Sequence, residues 1–159
     1  MARLTKALQL VAARRVLGLV STAELQDLAQ DLLTDDVLRT EAVRALASRD
    51  LLYLEDALAL FDEAIVQLGL IWPTPVQAAL TLTVETCQKL LAGAHTPQEA
   101  CQAIAKYSRA VDTRLERLDP FVYADSSLDD AEAFSGDELS ELHASVLQEA
   151  RDFLNALAP

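Results

Sequence analysis

Apolar residues recur at steps of three and four over residues 51–68, and this spacing is the strongest constraint on the fold. They are Leu51, Leu54, Leu58, Phe61, Ile65 and Leu68. Because an α-helix turns once every 3.6 residues, side chains at these steps lie on one face. The stretch therefore predicts a long amphipathic helix, whereas a half-buried strand would repeat every two residues.

The rest of the chain also favours helices. Its 159 residues include only 4 Gly, 5 Pro and 5% aromatic residues, while 52% are hydrophobic. A chain of this length can bury roughly two thirds of its unfolded surface without metals or disulfides. We predict an all-α fold, a compact multi-helix bundle of about six to seven helices, formed by a single domain over residues 1–159.

Capping sequences mark several helix boundaries. A hydroxyl residue followed three positions later by Glu or Gln can satisfy two backbone amides at a helix start. We expect the first helix over residues 2–17 and a second one that starts at Ser21. A third helix should be capped by Thr34-Asp35-Asp36. A later helix should start after Thr96 and end at Asp119-Pro120. The capping sequences are Ser21-Thr22-Ala23-Glu24, Thr74-Pro75-Val76-Gln77, Thr96-Pro97-Gln98-Glu99 and Ser135-Gly136-Asp137-Glu138.

The net charge of −12 and the pI near 4.4 disfavour binding to nucleic acid or to anionic lipid. A basic protein is the more natural partner, although acidity can also serve solubility alone. The acids are uneven, since residues 119–152 contain ten of them and only one base, Arg151. We predict an acidic loop at about residues 124–136 and a partner-binding set of Asp125, Asp129, Asp130, Glu132, Asp137 and Glu138.

Residues 64–84 carry no charge. The run is long enough for a membrane span, but Pro73, Pro75 and two glutamines make it a poor one, so no membrane partner is expected. It is either the centre of the core or a contact with a second copy. Ile71 and Trp72 are the hypothesised self-association residues, although a tryptophan held by Pro73 is more often a core wedge between helices than an exposed anchor.

No motif for catalysis, metal binding or a cofactor is present. His95 falls in a predicted turn, and His143 lacks a Glu three residues before it. The acids of residues 125–132 lack the spacing and central glycine of a calcium loop. Cys87 and Cys101 form no disulfide framework and are expected to face each other unbonded, as in a reducing cytoplasm. We predict no catalytic residue, metal or cofactor.

Residues 72–154 combine Leu-Leu-Ala-Gly, Thr-Pro-Gln-Glu-Ala, Leu-Asp-Pro-Phe-Val-Tyr and a final Glu-Ala-Arg-Asp-Phe-Leu helix. This order is similar to that of small all-helical bacterial proteins of uncharacterised or immunity-type families. The resemblance implies a cytoplasmic protein that acts by binding.

Three hypotheses of function follow from the sequence. The first is a non-catalytic, acidic helical binding protein, such as an inhibitor or immunity-type partner of a basic protein. The second is a structural homodimer or assembly adaptor that uses residues 64–84. The third is a bundle that binds a small ligand, or an enzyme without a recognisable motif.

Overall fold

The computed structural model describes residues 2–48, 53–130 and 134–157. These residues form eight α-helices and no strand, so the predicted all-α class is confirmed, with more helices than the six to seven expected. A short 3₁₀ helix, Glu116–Leu118, precedes the seventh. The helices are α1 Ala2–Val16, α2 Thr22–Leu32, α3 Glu41–Leu46, α4 Leu54–Gln67, α5 Pro75–Leu91, α6 Pro97–Arg109, α7 Asp119–Asp129 and α8 Gly136–Asn155. Among them, no helix has both the length and the apolar character that crossing a bilayer requires.

The additional helix is α7, which replaces much of the predicted acidic loop. Pro120 lies in its first turn, where the missing N–H of proline costs no hydrogen bond. Phe121, Ala124 and Leu128 are buried along one face of α7. The loop prediction is therefore wrong for residues 124–129, and α6 ends at Arg109 instead of continuing to Leu118.

The start of α3 also differs from the prediction. Its N-cap is Thr40, whose Oγ1 accepts a hydrogen bond from the Val43 N–H at 3.3 Å. Residues 34–39 instead form a turn, in which Arg39 donates to the Leu33 carbonyl from Nε at 3.0 Å and from Nη2 at 2.7 Å. Arg39 thereby satisfies a carbonyl that the end of α2 leaves open.

The other capping predictions agree with the structure at the start of α5, α6 and α8. Gln77 accepts from the Thr74 N–H at 2.9 Å, and the Gln77 N–H donates to Thr74 Oγ1 at 3.2 Å. The predicted reciprocal box at Ser21 is only half formed. The Glu24 N–H donates to Ser21 Oγ, but the Glu24 carboxylate pairs with Arg14.

The contacts divide the chain into two compact units, residues 1–78 and 79–159. The existence of a single domain stays a prediction. In the first unit, α1 to α4 enclose an apolar core that contains Leu8, Leu25, Val43 and Phe61. Arg15 on α1 donates to the two carboxylate oxygens of Asp62 on α4, from Nε at 3.1 Å and from Nη2 at 2.8 Å.

The predicted apolar stripe of α4 is largely confirmed, since Phe61 and Ile65 are buried and Leu58 and Leu68 pack against the same core. Its buried residues are Ala57, Phe61, Ala64 and Ile65, whereas Leu54 is 44% exposed. Leu51 lies outside the described residues. After the C-cap Leu68, Gly69 adopts a φ of +66°, which lets the Leu70 N–H reach the Ile65 carbonyl at 3.1 Å.

In the second unit, residues from α5, α6, α7 and α8 share one core. Phe121 on α7 and Phe153 on α8 meet edge to face, with ring centroids 6.2 Å apart. Cys87 and Cys101 are fully buried in this core and are not bonded, as predicted. Burial raises the pKa of each thiol to about 12, and the charges of Asp125 and Cys87 contribute to the raised pKa of Cys101.

We predict that both thiols resist a chromogenic disulfide reagent at pH 8 while the protein is folded. A rise in pKa from 9.0 to about 12 lowers the reactive thiolate fraction about a thousandfold, and burial also blocks access. In denaturant without reductant, two thiols per chain should react at once. Rapid reaction in the native protein, or fewer than two thiols after denaturation, would contradict this packing.

Candidate partner-binding surface

Four of the predicted partner-binding acids are exposed where α7 ends and α8 begins. Asp129 is the last residue of α7 and Asp130 is its C-cap. Asp137 and Glu138 lie in the first turn of α8. The two helices pack against each other and are joined by a short connection. We call these four residues the acidic tip.

The two aspartates of α7 stand at an electrostatically unfavourable position. The carbonyls at the C-terminal end of a helix carry partial negative charge, so an added anion there lowers stability. Asp129 and Asp130 are exposed. No ion pair between either carboxylate and another described residue is found. Their charges therefore do not stabilise the helix on which they lie.

The two acids of α8 are placed differently, because a helix start carries partial positive charge. Glu138 also caps the helix, accepting hydrogen bonds at Oε2 from the N–H and the hydroxyl of Ser135, each at 2.8 Å. These bonds, the backbone one first, hold the pKa of the Glu138 carboxyl below its ordinary value. Glu138 thus has a structural role, so Asp137 is the better residue for testing a binding role.

Asp125 does not belong to the acidic tip. It is only 4% exposed and faces the core of the second unit from α7. Its Oδ2 accepts a hydrogen bond from Arg109 Nη2 at 3.2 Å, while its buried Oδ1 has no hydrogen-bond partner among the described residues. Burial therefore removes Asp125 from the candidate partner-binding set. Glu132 lies outside the described residues.

The two predicted self-association residues have opposite environments. Ile71 is 95% exposed, so its side chain is available for a contact. Trp72 is partly buried against the core of the first unit, and its ring meets Phe61 edge to face at 6.0 Å. Trp72 therefore packs against the core, which was the favoured interpretation of this residue, and Ile71 is the candidate that remains exposed.

The described residues offer little for metal binding. Among residues 2–48, 53–130 and 134–157, no group of three or more His, Cys, Asp or Glu side chains could hold a metal ion. On α4, the neighbouring acids Glu55 and Asp56 are exposed, and Asp62 forms an ion pair with Arg15.

The sequence reasoning missed the burial of Asp125 and its ion pair with the exposed Arg109. A signal was present, because Phe121, Asp125 and Leu128 recur at steps of four and three. Once residues 119–129 are recognised as a helix, this spacing places Asp125 on the apolar face. Because Asp119-Pro120 was interpreted as the end of a helix, this helical spacing was not recognised.

The chain was also compared with known proteins. No family model, no curated protein and no solved structure matches it. The resemblance to immunity-type proteins therefore stays a prediction.

We predict opposite effects of neutralising the two ends of the acidic tip. At low salt, Asp129→Asn should raise the free energy of unfolding by about 0.3 kcal/mol, and Asp137→Asn should lower it by about as much. Each variant removes one negative charge from the same unit, so the general relief of repulsion is matched. Urea unfolding followed by circular dichroism measures both. The difference should disappear in 0.5 M salt, and a shift of the same sign and size in both variants would contradict the account.

Proposed function

We propose that this chain is a non-catalytic helical binding protein whose acidic tip engages a basic protein. The observation that carries the proposal is the exposure of Asp129 and Asp130 at the negative end of α7. Because the carboxylates of Asp129 and Asp130 do not stabilise α7, we attribute them to contact with a positively charged partner. The class proposed is that of an inhibitor or immunity-type partner acting in the cytoplasm.

The distribution of charge in the second unit supports this proposal. Residues 79–159 contain fourteen acids and six bases, a net charge of −8. Four of the bases lie within residues 106–117, and two of these, Arg109 and Arg114, pair with Asp125 and Asp119. The acidic tip therefore keeps a negative field, which would speed encounter with a basic surface and help to select it.

A variant that neutralises the acidic tip tests this proposal. We expect Asp129→Asn, Asp130→Asn and Asp137→Asn together to slow association with a basic partner at least about tenfold at 50 mM salt, and to flatten the salt dependence. The matched control is Glu55→Gln, Asp56→Asn and Glu63→Gln, three exposed acids of α4. It changes the net charge equally but leaves the acidic tip intact.

The partner is first captured with the wild-type chain and with both triple variants, and association rates are then measured by stopped flow with the purified partner. Capture by the wild type and the control, but not by the tip variant, is the expected pattern. Equal slowing by both triple variants would show that net charge alone acts. Unchanged rates in the tip variant would refute a role for the acidic tip.

A second candidate function is self-association through Ile71. Ile71 is 95% exposed, and Val66, five residues earlier near the end of α4, is 72% exposed. Single exposed apolar residues are common, but an extended apolar patch usually marks an interface. Both side chains lie in the uncharged run of residues 64–84, so no charged residue separates them in the sequence.

For this second candidate, we expect sedimentation equilibrium at ~100 μM to give a dimer mass, because a homodimer of μM affinity forms at that concentration. Ile71→Ser should return the mass to the 17.3 kDa of one chain, because it removes the exposed apolar contact. The control Leu54→Ser changes a different exposed apolar residue of the same unit and should leave the dimer intact. A wild-type mass of 17.3 kDa at this concentration would exclude self-association.

A further inference from the structure

A groove lies between α7 and α8, on the same pair of helices that carries the acidic tip. Its volume is about 220 Å³. Phe121 from α7 and Val146 from α8 close its floor and are almost fully buried. Leu142, Tyr123, Ser145 and Glu149 also line it, and Tyr123 is 65% exposed. The groove therefore combines an apolar floor with a polar rim.

The size of the groove limits what it can hold. Sites for whole small molecules usually measure about 300–1,000 Å³ and enclose most of the ligand. At about 220 Å³, this groove is smaller than that range. It suits one or two apolar side chains that project from a larger partner, as the anchor residues of protein interfaces do.

The charged residues around the groove indicate which residues should flank the apolar side chains of the occupant. Glu149 lines the groove, one helical turn beyond Ser145. Glu138 and Glu141 are exposed and lie one turn before Leu142 and Ser145 on α8. In the sequence of α7 there is no Lys or Arg, and α8 contains only Arg151. Along α8, carboxylates thus stand about one helical turn from the apolar floor in both directions.

We propose that this groove seats one or two apolar side chains of the basic partner, with Lys or Arg residues on either side of them. The flanking cations face Glu149 on one side and the acidic tip with Glu141 on the other. The acidic tip attracts and orients the partner segment, and the groove supplies the apolar contact that holds it. This inference rests on the proposed function, because it specifies the chemistry of the segment that the acidic tip attracts.

The test uses two fluorescein-labelled peptides of about 14 residues with equal positive charge. One alternates pairs of Lys with single Leu residues, and the other has Ser in place of each Leu. Fluorescence anisotropy at 50 mM salt measures the dissociation constant of each peptide. We expect the Leu peptide to bind the wild-type chain at least about tenfold more tightly than the Ser peptide.

Two tryptophan substitutions locate the contact. Ser145→Trp places a bulky side chain in the groove, and it should weaken Leu-peptide binding to the level of the Ser peptide without altering binding of the Ser peptide. Ala144→Trp changes the neighbouring exposed residue, which does not line the groove, and should leave both affinities within about twofold. Glu149→Gln, which keeps the size of the side chain, should weaken binding of the Leu peptide and reduce its salt dependence.

The outcomes separate this inference from the proposed function. The tip variant is Asp129→Asn, Asp130→Asn and Asp137→Asn together. Suppose that it binds both peptides more weakly, that the Leu and Ser peptides bind the wild type equally, and that Ser145→Trp has no effect. The groove inference is then overturned and the proposed function stands. If the tip variant binds both peptides as the wild type does, the proposed function fails. If neither peptide binds, both the groove inference and the proposed function are overturned. If Ser145→Trp changes the sedimentation mass but not peptide binding, the groove belongs to a self-association contact and the inference is overturned.

Discussion

The need to satisfy backbone groups at helix ends governs this structure, because the described residues form eight α-helices and therefore many helix ends. Each end leaves up to four amides or four carbonyls without an intrahelical partner. Thr96 and Ser135 supply hydroxyl caps, and Gly69 and Gly93 adopt positive φ so that the chain can turn back onto the last carbonyls. Where such a cap forms, it helps to determine where a helix begins or ends, and hence which side chains reach the core and which face the solvent.

Local chemistry explains why some boundaries could be predicted from sequence. At Thr74 and Thr96 the cap, the proline and the Gln or Glu partner lie within four residues, so no distant contact is needed to form them. Asp119-Pro120 was ambiguous, because proline is common both at a helix start and just beyond a helix end. The choice was made by the burial of Phe121 and Leu128 in the core of the second unit, which is information from tertiary packing.

The candidate site was predictable to the extent that it depends on charge. Asp129 and Asp130 are exposed, as an acidic surface requires. The burial of Asp125 could not be foreseen once its helix was mistaken for a loop, and the groove beside α8 exists only because two helices pack with a gap between them. The contrast between Ile71 and Trp72 likewise depends on the direction of the chain after Gly69, which sets one side chain against Phe61 and leaves the other in solvent.

We propose that partner recognition is confined to the α7–α8 end of the second unit. Titration of the ¹⁵N-labelled chain with the basic Leu-containing peptide, followed by amide chemical shifts, tests it most directly. We expect the largest shifts at residues 127–130 and 137–149, with little change in α2 or α4. Largest shifts at residues 66–72, in α2, or spread evenly over all acidic residues would contradict it.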